Sequence, residues 1–260
     1  MTTDTKKDIP AIECIVGNEA VKRAIEIAAV LPVAKVLIVG PSGCGKSTMV
    51  KAYQELCRST PIVLSSGDHI GRQLTDGEGE LLIAEDLPEF PRASLQTLRE
   101  VVERQRKSLI ATMSLCACGA RGQKERTCSC SRWKIQRYFD QVPPGLYGEF
   151  DITIRAEAPH IKEVLAYLEG YRGESADRVL ERIDKAKELL GGISISEPAI
   201  DDHGRDILRG AFPRFGLSMN QLHKVLRIAR VCAALEEEHS VKAHHVSEAL
   251  LYPARIQTIA

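Results

Sequence analysis

Short apolar runs alternate with amphipathic segments over the first part of the chain. Apolar side chains recur at helical spacing from about Glu19 to Val30, and again from Met49 to Leu56. Runs of strand length occur in KVLIVG, PIVLSS, ELLIAEDL, SLIATMSL and DITIRAEA, with a helical pattern in SLQTLREVVERQRK before the fourth. Because strands that alternate with helices form parallel sheets covered on both faces, the pattern predicts an α/β fold.

The pattern changes near Glu157, beyond which almost every segment has helical periodicity, most regularly in NQLHKVLRIARVCAALEEE. We therefore predict three parts. Residues 1–156 form an α/β core that includes a cysteine loop at 114–132, residues 157–195 form a helical connector, and residues 196–260 form a helical lid.

Composition narrows the class of protein. The 260 residues are 44% hydrophobic and 27% charged, which excludes disordered and collagen-like chains. Lysine plus arginine equals aspartate plus glutamate at 35 each, so no overall field favours a nucleic acid or a membrane. The N-terminal MTTDTKKDIPAIE lacks an apolar leader, and no apolar run is long enough for a bilayer. We expect a cytoplasmic protein without a membrane partner. In that compartment, clustered cysteines are more often metal ligands than disulfides.

The segment GPSGCGKST matches the phosphate-binding pattern G-x-x-x-x-G-K-[ST] between a predicted strand and a predicted helix. Its glycines let main-chain N–H groups converge on phosphate oxygens, Lys46 can reach the β- and γ-phosphates, and Ser47 can offer a hydroxyl to Mg²⁺. Cys44 is interpreted as a small loop residue, because no partner base is evident. We predict that ATP with Mg²⁺ is bound by Gly40, Pro41, Ser42, Gly43, Cys44, Gly45, Lys46, Ser47 and Thr48.

Two acids follow a buried strand, as this chemistry requires. Glu85 and Asp86 end the run LLIAED, 39 positions beyond Lys46. A P-loop NTPase needs one acid to hold the magnesium shell and another to orient the attacking water. We assign Glu85, with Ser47, to the metal and Asp86 to water. The two roles could be exchanged, and the alternative is that two exposed acids merely end the strand.

Four of the eight cysteines form the pattern C-x-C-x9-C-x-C at Cys116, Cys118, Cys128 and Cys130. A disulfide within a C-x-C pair is strained, whereas four thiolates on either side of a short glycine-containing loop suit a tetrahedral Zn²⁺ site. Such a site is structural, because no position is left for water. An iron–sulfur cluster and unliganded thiols are the alternatives. The other four cysteines are scattered and are interpreted as core or loop residues.

Together these motifs resemble the magnesium-chelatase-like branch of the AAA+ ATPases, which contains the chelatase motor subunit and the competence-type DNA helicases. The resemblance runs from about Ile15 to Tyr252 and rests on IVGNEAVKRAIEIAA, GPSGCGKST, LPEFPRASLQTLRE, the paired C-x-C elements with IQRY, GES, and GLS…HKVLRIAR…HHVSEALLY. It implies an α/β P-loop AAA+ core with a helical lid and nucleotide between neighbouring subunits. A homo-oligomer, either a ring or a smaller assembly, and DNA or a DNA-processing protein are the implied partners.

The departures from the family pattern concern hydrolysis. The acidic pair is inverted to Glu85-Asp86, and Ser114 stands where the family has a sensor asparagine; we assign Ser114 to the catalytic group on that basis. Glu149 replaces an arginine that acts in trans, and Asn220 replaces a lid arginine. Since such an arginine contributes about 10³ to 10⁵ in rate, we expect weak or partner-regulated ATPase activity. This expectation holds unless Arg214, Arg227 or Arg230 takes the place of the missing arginine.

Charge is segregated along the chain. Residues 98–137 contain ten lysines and arginines against three glutamates, whereas residues 61–90 contain seven acids against one arginine. The basic stretch includes Trp133 and Tyr138 and could contact DNA, or be a solvated face.

Two insertions of the family, which line the pore of a ring, look absent, so a threading motor is less expected. The alternatives to an ATPase are a nucleotide-gated DNA-binding or adaptor module and a chelatase motor subunit.

Overall fold

Five parallel strands form one sheet in the order β2-β3-β4-β1-β5. The computed structural model describes residues 9–66, 70–71, 74, 79–123, 125–191 and 198–253. The strands are β1 Lys35–Val39, β2 Pro61–Leu64, β3 Leu81–Ala84, β4 Ser108–Met113 and β5 Ile152–Arg155. In register, Leu37 of β1 lies opposite Ala111 of β4 and Thr153 of β5. The predicted α/β fold is confirmed.

Helices cover both faces of the sheet, and more helices follow it. They are α1 Glu19–Val30, α2 Lys46–Cys57, α3 Arg92–Arg104, α4 Arg132–Phe139, α5 Pro144–Glu149, α6 Ile161–Leu168, α7 Ala176–Leu190, α8 Asp202–Phe215, α9 Met219–Leu235 and α10 Ala243–Ala249, with short 3₁₀ turns at Ala11–Cys14 and Leu87–Glu89. None of these helices combines the length and the apolar composition that a bilayer span requires.

The side chains of β1 alternate between two hydrophobic clusters, as the period of a strand dictates. Val36 and Ile38 belong to a cluster that α1, α2, α7, α9 and α10 also build. Leu37 and Val39 face the other side, where α3 and α5 pack. Strand β1 is therefore covered on both faces. Its buried carboxyl end, directly before the glycine loop, fixes the position at which that loop begins.

The connection from α3 to β4 consists of residues 105–107 alone. Three residues leave no room for an inserted hairpin, and the absence of this family insertion stays a prediction. The predicted absence of the other falls partly on residues outside the described ranges, between β2 and β3.

Candidate functional site

The glycine loop leaves the carboxyl end of β1 and wraps into the start of α2. The amide of Gly40 donates to the carbonyl of Met113 in β4 at 3.1 Å, which anchors the loop to the sheet. Gly43 and Gly45 have φ values of 79° and 91°, in the left-handed region that suits glycine. Gly45 caps α2, so the first amides of that helix, which lack intrahelical acceptors, face the loop interior. This geometry can bind a phosphate group.

The two polar side chains that begin α2 are held differently. Lys46 folds back over the loop, and its Nζ donates to the carbonyls of Gly40 and Pro41 at 3.1 Å each. Ser47 instead donates from Oγ to Oε2 of Glu85 at 2.6 Å. A serine hydroxyl and a carboxylate at this separation are hard oxygen ligands of the kind that Mg²⁺ prefers.

Asp86 is held by the neighbouring strand. Its main chain has φ 51° and ψ 59°, which is uncommon for a residue other than glycine. The amide of Asp86 donates to Oγ1 of the buried Thr112 at 3.0 Å. Strand β4 thus fixes the turn after β3, and both acids of the predicted pair reach the same end of the sheet as the glycine loop.

A cleft of about 480 Å³ joins these groups. Ser114, predicted from its position after β4, lies on the wall, and its amide donates to the hydroxyl of Tyr138 at 3.1 Å. Burial, with the nearby carboxylates, raises the pKa of Tyr138 to about 12, so the phenol stays protonated. Six of the nine predicted loop residues line the cleft, whereas Gly40, Pro41 and Cys44 are not part of its lining. The cleft is lined by Ser42, Gly43, Gly45, Lys46, Ser47, Thr48, Glu85, Asp86, Glu89, Thr112, Ser114, Cys116, Ala117, Cys118, Gly119 and Tyr138.

Sequence reasoning did not assign Thr112, Glu89 or Tyr138 to the site. Thr112 lies inside the predicted strand SLIATMSL and Glu89 follows the predicted strand ELLIAEDL, so closeness to these strands was the available signal. Cys44 is buried, and burial raises the pKa of its thiol above the ordinary value. This supports the interpretation of Cys44 as a loop residue without thiol chemistry.

The four clustered cysteines meet beside the cleft. Their Sγ atoms lie within 4.8 Å of one another, with separations of 3.4 Å for Cys116 and Cys118, 3.5 Å for Cys116 and Cys128, and 3.6 Å for Cys118 and Cys128. These separations exceed a disulfide bond of about 2.05 Å. They approach the roughly 3.8 Å edge of a tetrahedron with Zn–S bonds of about 2.3 Å. The cluster is compatible with Zn²⁺. A hydrogen bond from the Ala120 main chain, with neighbouring thiols, lowers the pKa of Cys118 to about 6.

The positive charges proposed as substitutes for the missing arginines are engaged elsewhere. Arg230 is fully buried and donates to the carbonyl of Glu238 at 2.9 Å. Arg227 donates to the carbonyl of Val33 at 3.2 Å, and Arg214 lies over the ring of Phe215. Among the described residues that line the cleft, Lys46 alone is a cation.

Neither position at which an arginine was expected carries a positive charge. Glu149 forms an ion pair with Lys35 at 2.9 Å, and the exposed Asn220 lies in the first turn of α9.

Two family models match most of the chain. Residues 11–61 and 73–164 match the model described as "Magnesium chelatase, subunit ChlI", and residues 173–253 match "Magnesium chelatase, subunit ChlI C-terminal". This chain belongs to the magnesium-chelatase family. The family assignment accounts for the P-loop AAA+ core built on the parallel sheet, and it confirms the resemblance drawn from the motifs.

Relatives within the magnesium-chelatase family are distant. "Competence protein ComM" of Haemophilus influenzae is 27% identical over 207 residues, which cover 69% of this chain and 40% of that protein. "Uncharacterized protein YifB" of Salmonella typhimurium is 24% identical over 307 positions, covering 92% of this chain and 60% of that protein. The chain thus spans less than two thirds of either relative. Because the second alignment is longer than the chain, YifB has internal segments without a counterpart here.

Proposed function

We propose that this protein binds ATP with Mg²⁺ in the cleft at the carboxyl ends of β1, β3 and β4. The contact of Ser47 with Glu85 carries the proposal, because it brings two oxygen ligands suited to Mg²⁺ beside the phosphate-binding loop. Lys46 would exchange its bonds to loop carbonyls for the β- and γ-phosphates, while the loop amides bind the remaining charge. Asp86, fixed by Thr112, would orient water.

Equilibrium titration with a slowly hydrolysed ATP analogue tests this proposal. Lys46→Ala should weaken binding about 10- to 100-fold, the effect of losing a charge-assisted contact of about 1.5 to 3 kcal/mol. The matched control is Lys51→Ala, which removes an exposed lysine of the same helix that forms an ion pair with Glu55 at 3.9 Å. Unchanged affinity in Lys46→Ala contradicts the proposal. Glu85→Gln should lower the affinity in the presence of Mg²⁺ more than in its absence.

Hydrolysis by the isolated chain is proposed to be slow. Two observations support this proposal. Glu149, which stands where an arginine was expected, pairs with Lys35, and Arg230 is buried and does not line the cleft. Turnover should be measured with and without DNA, together with the mass of the protein in solution. Rapid turnover that Glu149→Ala or Asn220→Ala abolishes would show that these residues act in catalysis, against the proposal.

The cysteine cluster is proposed to hold one structural Zn²⁺. Four thiolates that share mutual distances below 4.8 Å can surround a single ion, whereas the ligands of an iron–sulfur cluster lie outside its inorganic core. Metal analysis of freshly purified protein should give about one zinc per chain. Less than half an equivalent, or iron with sulfide, would contradict the assignment.

A second candidate function is contact with DNA through α4. Trp133 is 68% exposed and the guanidinium of Arg137 lies 5.4 Å from its ring centre, on a helix that also presents Arg132 and Lys134. An exposed indole with adjacent cations can stack a base and neutralise phosphates. Under this candidate the protein is a nucleotide-gated DNA-binding module.

Charge reversal tests the DNA candidate. The double variant Arg132→Glu and Lys134→Glu should abolish salt-dependent binding of single-stranded DNA. The control reverses Arg205 and Arg209, two exposed arginines of α8. Equal loss in both variants would indicate an unspecific charge effect and count against α4.

A further inference from the structure

The cysteine loop forms hydrogen bonds with both main-chain polar groups of Ser42 in the glycine loop. The amide of Ser42 donates to the carbonyl of Gly119 at 2.9 Å. The side-chain Nε2 of Gln123 donates to the carbonyl of Ser42 at 2.6 Å. Ser42 lies three residues before the helix N-cap Gly45, so these two bonds set the path of the main chain into the phosphate-binding turn.

The close approach depends on a glycine. Gly119 has φ 71°, and a Cβ atom built there would lie 2.1 Å from Oγ and 2.9 Å from Cβ of Ser42. Any larger residue would require the Ser42 side chain to move, and the positive φ disfavours it as well. The main chains of the two loops are joined by the hydrogen bond from Ser42 to Gly119, so a displacement of one loop strains that bond.

The same segment is tied to the thiol cluster. Gly119 directly follows Cys118, and its amide donates to the carbonyl of Cys116 at 3.0 Å. The amide of Arg121 donates to Sγ of Cys116 at 3.4 Å. The position of the Gly119 carbonyl therefore follows the arrangement of Cys116 and Cys118, two of the four thiols proposed to share one ion.

We propose that Gln123 is a positioning residue that couples metal binding at the four cysteines to nucleotide binding at the glycine loop. A metal ion would order residues 116–123, and the bonds of Gly119 and Gln123 to Ser42 would transmit that order to the phosphate-binding turn. The loop would then be ordered before the nucleotide binds, so nucleotide binding would lose less conformational entropy. Because coupling is reciprocal, the nucleotide must tighten zinc binding by the same factor, which we expect to be about tenfold. This inference rests on the proposed function.

The test measures affinities in both directions on the full chain at constant Mg²⁺. ATP-analogue affinity is determined with zinc bound and after removal with a zinc-selective chelator. Zinc affinity is determined by competition with a chromophoric chelator, with and without the analogue. Gln123→Ala should keep one zinc per chain while both coupling factors fall toward one. Gln136→Ala, which removes another amide hydrogen bond, to Asp140, should keep the wild-type factors.

The outcomes separate the two proposals. Equal affinities with and without zinc in wild type, or full coupling in Gln123→Ala, overturn the inference and leave ATP and zinc binding intact. A wild-type protein that binds no nucleotide or no zinc overturns the proposed function, and the inference with it. If the zinc-free protein does not fold, the zinc-loaded variants decide: Gln123→Ala must bind the analogue more weakly than Gln136→Ala, by up to about tenfold. Equal affinities of these two variants would overturn the inference.

Discussion

A buried lysine of α9 binds the carboxyl end of α5, and its removal should lower the stability of the fold. Lys224 is 8% exposed, and its Nζ donates to the carbonyls of Gly148, Glu149 and Phe150 at 2.7, 3.0 and 2.8 Å. These carbonyls close α5, where helical acceptors lack intrahelical donors. Burial raises the pKa of Asp151, and the charge of Lys224 opposes that rise, so the lysine also supports a buried carboxylate.

The variant Lys224→Met keeps the length of the side chain and removes its three donors. The burial cost of the ammonium disappears, but three carbonyls lose their partner and Asp151 loses a neighbouring charge. Removing one partner of a buried charged group costs about 3 to 5 kcal/mol. For a chain of this size that corresponds to a decrease in Tm of roughly 10 °C.

Urea unfolding followed by circular dichroism measures this loss. The control is Lys185→Met, because the side chain of Lys185 is 53% exposed and its ion pairs with Glu181 and Glu237 lie at the surface. ATP affinity of folded Lys224→Met should equal that of wild type, since Asp151 precedes β5 at the end of the sheet opposite the cleft. A loss of stability below about 1 kcal/mol would refute the assignment of Lys224 as a structural donor.

Two further predictions concern the cleft and acid stability. Thr112→Val removes the acceptor of the Asp86 amide, so it should weaken Mg²⁺-dependent ATP binding in a titration and lower the stability in urea unfolding by about 1 to 3 kcal/mol. Thr112→Ser should keep both properties near those of wild type. Wild-type behaviour of Thr112→Val would exclude this role of Thr112. Burial raises the pKa of Glu248, but the hydrogen bond and charge of Arg23, together with hydrogen bonds from Cys232 and Tyr252, outweigh burial and leave that pKa below the ordinary value. The unfolded state therefore takes up the proton first as the pH falls through about 4.5, so this stabilisation is present above that pH and decreases below it. Arg23→Met should flatten the decrease in urea midpoint between pH 5 and 3, and an unchanged slope would contradict the pairing.

The strands and the glycine loop were predictable because local pattern determines them. The run KVLIVG has the apolar content of a strand buried on both faces, and the phosphate-binding pattern follows it at the required place. Ser47 and Glu85 could be proposed as magnesium ligands because each offers an oxygen atom and each follows the carboxyl end of a predicted strand. The division into parts at 156 and 195 stays a prediction.

Thr112 and Tyr138 could not be assigned, because their roles depend on the order of strands. Only when β4 lies between β1 and β3 does Thr112 face the turn at Asp86. Tyr138 was interpreted from its basic surroundings, yet its hydroxyl meets the amide of Ser114 across the fold. Local sequence carries the nature of a side chain, whereas its partner is set by tertiary contacts.

One hydrophobic cluster contains residues from α1 and α2 against the sheet and from α7, α9 and α10 beyond it. Because each of these parts loses apolar contacts when the other opens, we expect them to lose their protection against hydrogen exchange together. Slow amides of Val225 and Ile228 in α9 should then exchange at the same rate as those of Val36 and Ile38 in β1. The helical end of the chain is thus expected to act as a part of the folding unit that presents the cleft, and not as an appendage that can be removed.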